Sequence, residues 1–353
     1  LVGRVVGLLV GLTHTLTVGR MRGRTSDLGR RTDLRYNAGM FGSHLSIAGG
    51  MVNALQKAGE LKLDCVQVFT KNQRQWAVKP LADTDRDAWL AELTRMGWLE
   101  DPLPGGSRCV VSHNSYLINL ASPDPEAWER SCALQRVELE RCEALRIPFC
   151  VSHPGAHLGE SRKPAEPNVL DGTLTRDERA GLARIAKALD RLHRENRGGT
   201  TITCLETTVG AGTNLGYDFH HLARIRDLVK QPERVGFCLD TCHVTAAGYD
   251  MTTRARADDV LGRFDEICGL SSLYVVHVND SLGAVGSRKD RHAHIGLGTC
   301  GMACFEAVVN HPGLADVPMV LETPKEDDDK GRPWDLVNIR RLKRLIARPV
   351  PSR

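Results

Sequence analysis

Between Met40 and Ile346 the chain alternates, eight times over, a short apolar run with a longer segment of helical period, and few architectures accept that order. The runs with strand character are Phe41 to Leu45, Cys65 to Phe69, Cys109 to Ser112, Phe149 to Ser152, Thr201 to Leu205, Val235 to Leu239, Leu273 to Val276 and Pro318 to Leu321. Between them apolar residues recur at spacings of three and four, as in Trp128, Cys132, Leu134, Val137 and Leu145, or Leu182, Ile185, Ala186, Leu189 and Leu192. Shorter stripes follow the first run (Met51, Ala54, Leu55, Ala58) and the seventh (Cys304, Phe305, Val308). Alternating strand and helix argues for parallel βα units, and eight of them close a barrel. The expected fold class is α/β, a TIM (β/α)8 barrel; an open doubly wound sheet is the alternative that alternation leaves standing. No linker or long repeat interrupts residues 40–346, so one domain is expected there.

What ends the strands is more specific. The third ends VVSH at His113, the fourth CVSH at His153, the fifth TCLE at Glu206, the sixth FCLD at Asp240, the seventh VVHV at His277 and the eighth MVLE at Glu322. In a parallel barrel the carboxyl ends of all strands converge on one face, so these side chains would surround one pocket. Any one of them alone reads as a hydrogen-bonded structural residue. Six in succession do not, because carboxylates crowded together repel unless a cation compensates them. Two local pairs extend the set: Asp240 and His243 in CLDTCH, and Asp290 and His292 in SRKDRHAHIG.

The candidate metal ligands are therefore His113, His153, Glu206, Asp240, His243, His277, Asp290, His292 and Glu322. Histidine mixed with carboxylate suits zinc, with manganese or iron as competitors, whereas magnesium or calcium would want oxygen alone. At roughly three protein ligands per catalytic ion, nine residues suit three ions. Cys238, Cys242, Cys300 and Cys304 offer CxxxC spacings, a weak signal for a thiolate zinc site.

Composition bears on partners and compartment. The formal net charge is +4, but seven arginines against two aspartates put +5 in residues 1–39, leaving the remainder close to neutral. Global charge therefore gives no argument for nucleic-acid binding, which must come from local patches or bound cations. The eleven cysteines are scattered singly in apolar runs, which reads as reduced, buried thiols and a cytoplasmic setting, with the nucleoid as the place of work in a bacterium. No apolar run is long enough to span a bilayer. Residues 1–39 form a basic leader, expected to be unstructured or an upstream-translated segment, with organelle targeting as the alternative; residues 347–353 are a tail.

The text GSHLSIAGG, FTKNQRQW, SHNSYLINLASP, SHPGAHLG, LETTVGAGTNLG, CLDTCHVTAAGYD, HVNDS, GSRKDRHAHIG and LETP resembles the endonuclease IV family of abasic-site endonucleases across about residues 40–325. The resemblance implies a xylose-isomerase-like TIM barrel with three zinc ions and double-stranded DNA containing abasic sites as partner. By it, His113 and His153 hold one zinc, Glu206 bridges to a second held by Asp240, His277 and Glu322, and His243, Asp290 and His292 hold the third. Glu206 and Glu322 then carry the catalytic roles, the first setting the metal spacing and the second orienting the nucleophile. It further implies that Arg74, Tyr116 and Leu117 enter the duplex at the lesion. Arg74 follows the second strand and Tyr116 the third, so a planar cation and an aromatic ring would rise from the catalytic face, where they could stack on bases. Lys71, Arg288, Lys289 and Arg291 are further candidates for phosphate contact. The chain departs from the family's pattern at Leu297, where an acidic residue is usual, and in the polar run ESRKPAEPNVLDG. The reaction expected is hydrolysis on the 5′ side of the abasic site, leaving a 3′ hydroxyl, by a chain acting as a monomer. The rivals are a metal-dependent sugar isomerase or epimerase on the same barrel, and a metal- or DNA-binding protein without catalysis.

Overall fold

Eight strands build the barrel: β1 (Met40–His44), β2 (Cys65–Phe69), β3 (Val110–His113), β4 (Phe149–Ser152), β5 (Ile202–Glu206), β6 (Val235–Asp240), β7 (Leu273–His277) and β10 (Pro318–Leu321). All are parallel, and they close on themselves in the order β1-β10-β7-β6-β5-β4-β3-β2. The computed structural model describes residues 39–99, 109–161 and 167–347, which fall in one compact unit. Apart from Gly39 and Ala347, the expected leader and tail lie outside the described residues, as does part of the polar run after His157.

Every strand expected from the sequence is present, with ends displaced by at most a residue. The doubly wound alternative is excluded, because β1 pairs with both β2 and β10, Met40 standing opposite Pro318 and Gly42 opposite Cys65. Gly42 is required for that approach: a Cβ there would collide with the Cys65 carbonyl. A short antiparallel hairpin, β8 (Asp280–Ser281) with β9 (His292–Ala293), was not expected; strands of two residues are too short to show a period.

The helices surrounding the barrel are α1 (Val52–Glu60), α2 (Asp83–Arg95), α3 (Pro125–Ala144), α4 (Arg176–Glu195), α5 (Phe219–Leu228), α6 (Thr241–Ala247), α7 (Arg254–Cys268), α8 (Met302–Val309) and α9 (Trp334–Leu345). Their starts follow from capping chemistry. Asp124 accepts the Ala127 amide with Pro125 in the first turn of α3, and Thr175 and Glu178 form a reciprocal capping box on α4. The stripe Leu182, Ile185, Ala186, Leu189 and Leu192 is buried against the barrel, as its spacing requires. Among the described residues no helix is long and apolar enough to cross a membrane.

Inside the barrel the pleat makes two rings. Cys65, Val111, Val151, Cys204, Cys238, Val275 and Val320 form a separate apolar cluster, joined by Phe149. Two residues further along the same strands stand Gln67, His113, His153, Glu206, Asp240, His277 and Glu322. Since side chains two apart share a face, each strand of this series contributes one apolar and one polar residue to the interior.

Candidate metal centre

The polar ring, with His243, Asp290 and His292 set against it, gathers all nine expected residues at the carboxyl end of the barrel. Glu206, fully buried, is its hub: Oε2 lies 3.1 Å from His113 Nε2 and 2.9 Å from His153 Nε2, and Oε1 lies 2.9 Å from His277 Nδ1 and 3.3 Å from His243 Nδ1. His277 Nδ1 is also 3.2 Å from Glu322 Oε2 and 3.8 Å from Asp240 Oδ2. Further out, Asp290 Oδ1 lies 3.3 Å from His243 Nε2 and 3.6 Å from His292 Nε2. Local structure explains one pairing: Asp240 ends β6 and caps α6 by accepting the His243 amide at 2.9 Å, so a single turn delivers both side chains.

Three groups have donor atoms that all lie within 4.8 Å of one another: His113, His153 and Glu206; Glu206, Asp240, His277 and Glu322; and His243, Asp290 and His292. Two further groups include a thiol, Cys238 beside Glu206 and His277, and Cys242 beside Asp240 and His292. Burial pushes each of those thiols up to about 12, and Cys238 belongs to the apolar ring below, so nitrogen and carboxylate donors are the better set. Cys300 and Cys304 are buried free thiols in none of these groups.

The electrostatics fit divalent cations. Burial alone would raise Glu206, yet His153, His277 and His113 hold it well below the usual carboxylate range. Burial would likewise raise Glu322, and His277 and His44 hold it down. Conversely, burial would lower His277 and His243, but Cys238, Glu322 and Glu206 drive the first, and Asp240, Asp290 and Glu206 the second, well above the ordinary imidazole value. A divalent ion would compensate these carboxylates while leaving the imidazoles neutral. His243 Nε2 and His292 Nε2 are buried with no hydrogen-bond partner among the described residues, as lone pairs kept for an ion would be.

A second tier of residues, absent from the sequence-based set, orients the first. Gln67 Nε2 donates to Glu322 Oε1 at 2.7 Å and lies 2.9 Å from His44 Nδ1, while Gln67 Oε1 lies 2.7 Å from His277 Nε2. Asn279 donates to Asp240 Oδ2 at 2.7 Å and accepts the Glu322 amide at 2.8 Å. The carbonyl oxygens of Asn114, Thr207 and Glu322 lie 2.8 to 3.2 Å from the Nδ1 atoms of His113, His243 and His292 respectively. His44 was findable, since it ends the first strand just as the other candidates end theirs.

Tyr116 stands over the cluster, 63% exposed, its ring 5.5 Å from His113 and 6.1 Å from His153. It borders two cavities that also share His292 and Glu322. One of 570 Å³ runs toward Ser46, Lys71, Asn72 and Lys325, and one of 380 Å³ toward His153, His243 and Arg291. Arg74 is exposed and Leu117 half-buried. The expectation of four phosphate-reading cations needs correction. Lys71 is buried 3.0 Å from Glu138, and Arg288 is buried and donates to the Gly210 carbonyl. Only Lys289 and Arg291 of the four are exposed; the other two are buried against internal partners, as a cation taken out of water must be. Leu297 is exposed.

Comparison with known proteins agrees with the fold. A family model described as xylose isomerase-like TIM barrel matches residues 55–344. A Chloroflexus aggregans protein named "Probable endonuclease 4" is 42% identical over 307 residues, covering 87% of this chain and 99% of its own. A protein of the same name from Geobacter sulfurreducens is 39% identical, covering 87% and 94%. The crystal structure of endonuclease IV from Thermus thermophilus superposes with a TM-score of 0.69 at 31% identity, over 87% of this chain and 98% of that one. A D-tagatose 3-epimerase-like protein shares the fold at a TM-score of 0.59 and 16% identity, over 87% and 96%.

Proposed function

The chain belongs to the endonuclease IV family and is a DNA-cleaving hydrolase, and from that premise we propose that it incises duplex DNA on the 5′ side of abasic sites, leaving a 3′ hydroxyl, with three zinc ions in the polar ring. The observation that carries the reading is the division of nine side chains into three donor groups, two of which share Glu206. A sugar epimerase on this barrel would have use for Glu206, Asp240, His277 and Glu322. It would leave His113, His153, His243, Asp290 and His292 without a task. The four histidines among them are buried or half-buried, and polar side chains so placed are costly to keep idle.

The residues that would hold the ions are His113, His153 and Glu206; Glu206, Asp240, His277 and Glu322; and His243, Asp290 and His292. Bound there, such ions supply Lewis acidity, activating water at neutral pH and stabilising charge on the phosphoryl and leaving oxygens. The chain's own contribution is placement. Glu206 spans two groups and sets their separation, Gln67 locks the carboxylate of Glu322, and Asn279 locks that of Asp240. Glu322, 13% exposed at the boundary of both cavities, would orient the attacking water. In this reading Tyr116, Leu117 and Arg74 fill the stack beside the lesion and hold the abasic nucleotide out over the ring.

The test is a duplex with one central abasic site, labelled at its 5′ end and incubated with protein before and after chelation. A product ending in a 3′ hydroxyl, lost on chelation and restored by zinc, supports the reading. No incision at any metal loading contradicts it, and incision on the 3′ side contradicts the proposed polarity of cleavage.

A further inference from the structure

The loops carrying Arg74 and Tyr116 leave different strands, yet one buried carboxylate outside the barrel joins them. Glu138 lies on α3, only 1% exposed. Its Oε2 accepts the Thr70 hydroxyl at 2.7 Å, and its Oε1 accepts the Ser115 amide at 3.1 Å and stands 3.0 Å from Lys71 Nζ. Thr70 and Lys71 begin the loop that leads to Arg74, and Ser115 adjoins Tyr116 in the other. The two loops also touch directly, the Ser115 hydroxyl donating to the Gln73 carbonyl at 2.6 Å. One turn along the same face of α3, Arg141 Nε donates to the Thr70 carbonyl at 2.9 Å.

A buried charge is expensive unless it is paired and hydrogen-bonded, and a leucine on α3 would serve packing as well. Glu138 instead takes donors from both loops. Loops are the segments whose ordering costs most when a ligand binds, and a contact that fixes them beforehand removes that cost from the binding step. We propose that Glu138 is a positioning residue for lesion recognition, holding the Arg74 and Tyr116 loops in mutual register before DNA arrives. The inference rests on the proposed function. It gives Lys71 a structural part in place of a phosphate contact, and it assigns a role to a helix residue that belongs to none of the donor groups.

The experiment is steady-state incision of an abasic duplex by the zinc-loaded protein, with KM and kcat separated and metal content counted. Glu138→Gln keeps shape but leaves Lys71 without its counter-charge; KM rises about tenfold while kcat stays within about twofold. Metal content stays at the wild-type value. In a background of Arg74→Ala with Tyr116→Ala, the same substitution changes KM less than about twofold, because the groups it positions are gone. An unchanged KM in Glu138→Gln, a loss confined to kcat, or an equal effect in both backgrounds overturns the proposal. If Glu138→Gln does not accumulate folded, Thr70→Val removes one of the bonds and raises KM about threefold, and no change there overturns it equally. A wild-type protein that does not incise at all defeats the functional reading itself, whereas an active wild type with an indifferent Glu138 defeats only this inference.

Discussion

The two rings inside the barrel are built by the same strands two residues apart, and they have opposite chemistry. Cys204 precedes Glu206, Cys238 precedes Asp240, Val275 precedes His277 and Val320 precedes Glu322. The lower ring excludes water and fixes strand positions by packing, and the upper ring uses that rigidity to hold charged groups at separations that repulsion would otherwise widen. Histidines show the contrast at the scale of one residue. His277, among carboxylates, is held well above the usual imidazole value. His193, buried near the amino-terminal end of the barrel on α4, is pushed down to about 4 by burial and by the Arg234 guanidinium.

That contrast predicts which substitutions damage chemistry and which damage stability. Glu206→Gln should cut incision on the order of a thousandfold and lower the metal count, with the metal-free fold intact by circular dichroism; retained incision would detach the upper ring from function. Phe149→Ala, below the ring and stacked on Tyr274 at 5.2 Å, should cost about 3 kcal/mol in urea unfolding while leaving metal content and low-temperature incision unchanged. Loss of metal there would mean the rings are not separable. Gln67→Leu should weaken metal binding about tenfold, read by competition with a chromogenic chelator, with a smaller loss of stability than Phe149→Ala.

A separate effect lies in acid. The unfolded chain protonates His193 near 6.5 and the folded chain only near 4, so stability conferred above 6.5 is lost as pH falls through that window. The loss should reach about 3 kcal/mol, measured on metal-free protein so that no bound ion contributes, and His193→Leu should flatten it. An unchanged slope in that variant would place the acid sensitivity elsewhere.

Much of this division was legible in the sequence, for a physical reason. Strand period and strand-terminal polarity are local properties, so His113, His153, Glu206, Asp240, His277 and Glu322 declared themselves together. Gln67 did not, because an amide in the middle of CVQVF is not a metal-ligating type and its importance lies in which two candidate ligands it reaches. His44 stood apart because the second strand, ending at Phe69, breaks the succession between it and His113. Lys71 and Glu138 are far apart in sequence, and nothing in either neighbourhood announces that a loop cation and a helix acid meet in the interior. Local pattern reveals which side chains face inward; pairings between distant segments appear only once the chain is folded.

The central claim is that the upper ring is a site for three divalent ions, and it is tested most directly by elemental analysis of the purified protein after exhaustive dialysis against metal-free buffer. The account predicts about three zinc ions per chain, falling to about two when His243 is replaced by alanine. A value of one per chain, unaffected by that replacement, would contradict it.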